Sequence, residues 1–203
     1  HARVLNPFAQ LKRLQLPGLA RTNYVTFLFL AAFSGMEFTL TFLAAERLGY
    51  EPRDNVWMFV FSGLLIAIVQ GGFVRRLAPR LGEKKVALQG LIVLVPGFAV
   101  VGFAHSGVML YCGLALMAVG SALAMPCLSS LVSRYAPGDR QGLALGTNRS
   151  MMALARALGP IAASLTYWRW GSTAAYLAAA VVAVLPVLLA LRLPPVPTTE
   201  TAS

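Results

Sequence analysis

Between Lys85 and Arg134 the chain runs for 48 residues without an Asp, Glu, Lys or Arg. As a single helix this stretch would measure about 72 Å at 1.5 Å per residue. That is more than twice the roughly 30 Å of a bilayer's hydrocarbon core. The stretch therefore crosses twice, and His105-Ser106-Gly107 is its natural break, giving spans over 86–104 and 108–132. Four more apolar stretches reach spanning length: 24–45, 55–74, 143–168 and 171–191. None alternates in the manner of a barrel strand, and a lipid-exposed backbone must satisfy its hydrogen bonds within the segment, so each is expected to be a helix. Composition agrees, with 58% hydrophobic and 12% charged residues, about half the charge of an ordinary soluble domain. The expectation is an all-α membrane protein with six transmembrane helices.

Charge placement orients the bundle. Of the 17 basic residues, Arg3, Lys12, Arg13, Arg21, Arg75, Arg76, Arg80, Lys84, Lys85, Arg134, Arg140 and Arg192 fall on the side of the two termini. Only Arg47, Arg53 and Arg169 fall on the other, beside Glu46, Glu51 and Asp54. Twelve against three predicts both termini in the cytoplasm by the positive-inside rule. The net charge of +10 is thereby accounted for without a nucleic-acid partner, which would need aromatic residues interleaved with the cations. Residues 1–23 are expected to form a cytoplasmic linker. Within it VLNPFAQLKRLQL, over 4–16, is either a short interfacial helix or a flexible lead-in. Residues 24–193 form the bundle and 194–203 a disordered cytoplasmic tail. The loops (46–54, 75–85, 105–107, 133–142, 169–170) are too short for a separate domain, so binding falls to the helices themselves.

Charges inside spans are expensive and mark function by default. Glu37 is the one acidic residue in a span, and Ser34 and Thr41 share its helical face. It is either a structural carboxyl paired with a neighbouring helix, or a protonatable group or substrate contact in a cavity. Arg149 and Arg156, seven residues apart, project from one face of the fifth span. They are interhelical packing groups or contacts for an anion, whose oxygens match the guanidinium fork. Asn148 adjoins Arg149. Glu37 and Arg156 lie at similar depth, which makes a Glu37–Arg156 pair possible. Gly142 and Gly146 form a GxxxG that lets backbones approach closely. Pro126 and Gly159-Pro160 are expected to kink their helices. Cys112 and Cys127 are small apolar packers. There is no HExxH, no CxxC, no phosphate loop and no serine with a base nearby, so neither a cofactor, a metal site nor an enzyme is expected.

These features resemble the major facilitator superfamily, whose members are built from two six-helix halves holding substrate near the midplane. The lead-in LNPFAQLKRLQLPGLAR resembles the linker between the halves, so the chain is similar to the C-terminal half. In the second loop Arg80, Gly82 and Lys84 fit the family's loop motif, while Pro79 stands in place of its aspartate and Glu83 in place of a basic residue. Pro137, Arg140, Gly142, Gly146 and Gly159-Pro160 resemble the drug:proton antiporter group, which includes tetracycline exporters. The resemblance implies a secondary transporter in the plasma, inner or an organelle membrane, moving amphipathic organic anions or drugs by alternating access with proton coupling. Glu37, Arg149, Arg156, Asn148 and Ser34 would serve substrate or proton, and Arg80, Gly82, Lys84, Arg140, Gly142, Gly159 and Pro160 the conformational change. Its partners would be the small-molecule substrate, the lipid bilayer and the N-terminal six-helix half. The competing expectation is a non-transporting six-helix scaffold or dimeric bundle.

Overall fold

A computed structural model describes residues 17–195. The lead-in over 4–16 and the tail beyond 195 lie outside them. The described chain is helical throughout: α1 (Pro17–Leu48), α2 (Pro52–Ile68), a π-helical turn (Val69–Val74), α3 (Arg75–Leu81), α4 (Glu83–Gly102), α5 (Gly107–Tyr135), a 3₁₀ turn (Gly138–Arg140) and α6 (Gln141–Leu191). Five helical stretches among the described residues are long and apolar enough to cross a membrane.

Local chemistry sets the boundaries. Gly49, at φ 66°, ends α1 in the left-handed region that suits glycine. The Asp54 carboxylate accepts the Glu51 amide at 2.9 Å and starts α2, with Pro52 in its first turn. The Ser106 hydroxyl oxygen accepts the Met109 amide at 3.3 Å and caps α5. The segment 75–85, expected as a loop, is helical up to Leu81 and is broken only at Gly82 (φ 84°). With no glycine between Arg75 and Leu81, the apolar stems of its arginines let the helix continue out of the span. Pro96, Pro126, Pro160 and Pro186 all lie inside helices that continue past them.

At 51 residues, α6 is far too long for one crossing. Its single departure from helical dihedrals is Gly171 (φ 85°, ψ 172°), and the contacts on either side show that the chain reverses there. On the first limb Asn148 meets Asn23, Gly159 meets Ala31, and Tyr167 donates to Glu46. This limb therefore runs parallel to α1. On the second limb Ser172 and Thr173 meet Arg47, and the carbonyl of Arg192 meets Arg21, so it runs antiparallel to α1.

Close packing rests on small residues, because lipid removes the hydrophobic drive between helices. A Cβ added to Gly90 would lie 2.6 Å from the Gly120 carbonyl oxygen, and one on Gly120 would lie 2.7 Å from that of Gly90. This seam joins α4 to α5. Arg47 ties the far end together, its Nη1 donating to Gly102 O (2.8 Å) and Ala104 O (3.2 Å), and its Nη2 to Ser172 Oγ (2.7 Å) and Thr173 Oγ1 (2.6 Å). At the opposite end the carbonyls of Arg192, Leu193 and Pro194 accept from Arg21, Lys84 and Tyr135 in turn. Both ends of the described chain thus sit at one end of the bundle.

Candidate functional site

Four parts of the fold, α1, the π turn, α5 and α6, enclose one cavity of about 410 Å³. Its walls carry Ser34, Glu37, Gln70, Ser121 and Arg156 among Phe29, Phe33, Ile66 and other apolar side chains. On α1, Tyr176 takes up the side opposite the cavity: its hydroxyl donates to the Met36 carbonyl at 3.2 Å, and the Thr39 hydroxyl donates to Tyr176 Oη at 3.4 Å. That leaves Glu37, one residue from Met36 and two from Thr39, exposed on the cavity side. Ser34 lies one turn earlier on the same face and donates to the Arg156 carbonyl at 3.5 Å. Arg156 is brought in because the first limb of α6 packs so tightly on α1. A Cβ on Gly159 would lie 2.3 Å from the Ala31 carbonyl oxygen, and one on Gly35 would lie 2.7 Å from that of Gly159.

Glu37 and Arg156 share the cavity without forming an ion pair. Among the described residues the ion pairs are Glu83–Arg134, at 2.6 Å, and Arg140–Asp139, at 3.6 Å. Both cavity charges are therefore left to meet water or a guest. A guanidinium with an open fork beside a separate carboxyl can take an anion and hold a proton at two distinct atoms.

The other expected site residues scatter. Asn148 is buried and donates to Asn23 Oδ1 at 3.0 Å, a contact between α1 and α6 away from the cavity. Consecutive helical residues point about 100° apart, so Asn148 turns inward while Arg149 stays exposed. Arg149 does not line the cavity. Gly142 and Gly146 meet nothing within 4 Å of an added Cβ, and the close approach between α1 and α6 is made by Gly35 and Gly159 instead. Arg80 is exposed on α3 and Arg140 pairs with its neighbour Asp139. Lys84 donates to the Leu193 carbonyl at 2.5 Å. Glu83, which departs from the family's loop pattern, holds Arg134 and accepts from Ser130 at 3.4 Å. Pro160 continues α6 directly after the contact glycine.

Gln70 and Arg47 were not singled out by the sequence. Gln70 is an amide deep in an uncharged span, and it sits in the π turn, a distortion frequent at functional sites. The dipeptide Gly71-Gly72 after it was the available signal. Arg47 carried no such signal, since its partners are 55 to 126 residues away.

Apolar helices of membrane-spanning length, packed on glycine seams around an open, charged cavity, mark a multi-pass membrane protein. A Major Facilitator Superfamily model matches residues 26–203, and the chain belongs to that superfamily. Mouse major facilitator superfamily domain-containing protein 10 is 38% identical over 180 residues, which is 88% of this chain and 39% of that protein. The crystal structure of the human organic anion transporter MFSD10 (TETRAN) superposes with a TM-score of 0.86 at 35% identity, covering 91% of this chain and 46% of that one. The class G tetracycline resistance protein of Vibrio anguillarum is 33% identical over 105 residues, 52% of this chain and 26% of that protein. The chain thus spans less than half the length of these relatives.

Proposed function

We propose that this chain is the C-terminal half of a secondary active transporter that moves amphipathic organic anions or drugs by alternating access. The observation that carries the reading is the cavity in which Ser34, Glu37, Gln70 and Arg156 converge from three parts of the fold. In this reading Arg156 receives the anionic group and Glu37 carries the coupled proton. Arg149, exposed two turns nearer the terminal end, attracts anions toward the entry. The name of the human relative, an organic anion transporter, supports the substrate class. The coverage of 46% supports a second half closing the cavity's open side. The excess of basic residues at the terminal end supports a cytoplasmic position for both ends.

The test is uptake into proteoliposomes by the full-length transporter, using a panel of organic anions and cations with and without a pH gradient. Arg156→Ala is expected to lose anion uptake at least tenfold while the folded protein remains in the membrane. Glu37→Gln is expected to remove the response to the pH gradient. Normal anion uptake by Arg156→Ala would overturn the assignment.

A further inference from the structure

A groove of about 330 Å³ lies away from the charged cavity, between α1 and the two limbs of α6. Small residues make its walls: Ala31, Ala162, Ala175, Ala178 and Ala179, with Phe27 beside them. Its one polar side chain is Thr166, whose hydroxyl is already engaged inside the helix, donating to the Ala162 carbonyl at 2.8 Å. The interior therefore offers a guest apolar contact only. Leu158 and Val182 line the groove and are both exposed, and Ile161, Leu165, Val181 and Leu185 continue an aliphatic surface along both limbs. Such a surface suits hydrocarbon and not water. From Leu158 to Thr166 the groove runs about 12 Å at 1.5 Å per residue, close to the roughly 15 Å of hydrocarbon in one leaflet.

Two exposed residues crown the groove. Arg169 lies three residues beyond Thr166 and seven beyond Ala162; Trp170 lies four beyond Thr166 and seven beyond Ala163. Helical spacing sets both on the groove's own stripe of the first limb, about 5 Å past Thr166. Gly171 (φ 85°) reverses the chain directly after them, so they stand at the end of the span. Among the described residues Arg169 takes part in no ion pair. Its guanidinium donates in a fork that fits phosphate and has no acceptor for a sterol hydroxyl. Tryptophan rings settle at headgroup level. We propose that the groove is a phospholipid site: one acyl chain lies between the limbs of α6, and the phosphate rests on Arg169 beside Trp170, in the leaflet away from the ends of the described chain. Ala31 and Gly159 line the groove too, so the seated chain backs the contact between α1 and the first limb. The proposal stands apart from the transport reading, since the groove shares no residue with the charged cavity.

The experiment titrates the delipidated full-length protein in detergent with palmitoyl-oleoyl phosphatidylglycerol and counts bound lipids by native mass spectrometry. Wild type is expected to hold one phosphatidylglycerol more tightly than the rest. Arg169→Ala should weaken that lipid about tenfold, the scale of one hydrogen bond to a charged group, with Arg169→Lys intermediate for want of a fork. Ala178→Phe should abolish the tight site by filling the groove, while Val181→Phe, exposed on the same limb outside it, should leave the site intact. Arg169 is exposed and free of ion pairs, so its variant tests the site even where Ala178→Phe fails to fold. No tight lipid on the wild type, unchanged affinity in Arg169→Ala, or equal loss in Val181→Phe would overturn the proposal. Cholesterol that displaces the lipid at equal concentration would overturn it as well, by making the groove a sterol site.

Discussion

Replacing Gly159 by alanine adds one methyl group at the tightest contact between α1 and α6. Its carbon would stand 2.3 Å from the Ala31 carbonyl oxygen, 3.1 Å from the carbonyl carbon and 3.2 Å from Cα. All three are backbone atoms, so no side-chain rotation relieves the clash. The helices must part by about 1 Å to restore ordinary contact, and a gap of that size forfeits a quarter to a half of the dispersion attraction along the seam. Gly35 faces the same place, with an added Cβ 2.8 Å from that of Ala163, so the loss extends beyond one atom pair. Overpacking of this kind costs about 1–3 kcal/mol, and a value near 2 kcal/mol is expected here. Thermal unfolding of the full-length protein in detergent, or steric trapping in bicelles, would read it. Gly142→Ala, where nothing lies within 4 Å of the new methyl, serves as the control and should be close to neutral. Wild-type stability in Gly159→Ala would refute the seam as the element that positions Arg156.

Two further changes probe the framework. Arg47→Ala removes four hydrogen bonds joining α1, α4 and the turn into the second limb of α6. Charge-assisted bonds contribute about 1.5–3 kcal/mol each when counted singly. Because they share one partly solvated group, a total loss of about 2 kcal/mol in thermal unfolding is expected, with Arg47→Lys intermediate for want of a fork. Asn148→Ala should cost about 0.6 kcal/mol and at most about 1.7, the range for hydrogen bonds between membrane helices. A raised KM without loss of stability would return Asn148 to the substrate site.

The parts of the fold that follow from local chemistry were legible in the sequence. The charge-free run to Arg134 demanded a break, and the structure turns at Phe103–Ser106, with Ser106 capping the next helix. Gly171 lies just past the expected turn at 169–170 because only glycine holds φ 85° easily. Ser34 and Glu37 were placed on one face by spacing alone, and they do share a cavity. Adjacency and motif did not reveal where the side chains sit. Asn148 was grouped with Arg149 as its neighbour in sequence, yet one helical step turns it toward Asn23. Gly142-x-x-x-Gly146 matched a packing pattern, but a pattern does not say which face meets a neighbour, and Gly35 with Gly159 makes the contact. Arg47 looked like one more loop charge because its acceptors are carbonyls and hydroxyls that only the tertiary fold assembles.

A transport role requires the cavity at Ser34, Glu37 and Arg156 to be open to water and to the cargo. Its most direct test is cysteine accessibility in an otherwise cysteine-free full-length transporter. Ser34→Cys should react with a membrane-impermeant thiol reagent from one side of the bilayer, and a transported organic anion should slow that reaction. Val181→Cys, exposed on the second limb of α6 and outside the cavity, should show no such protection. A thiol at position 34 that is inert from both sides, or that reacts at the same rate with saturating anion present, would contradict the account.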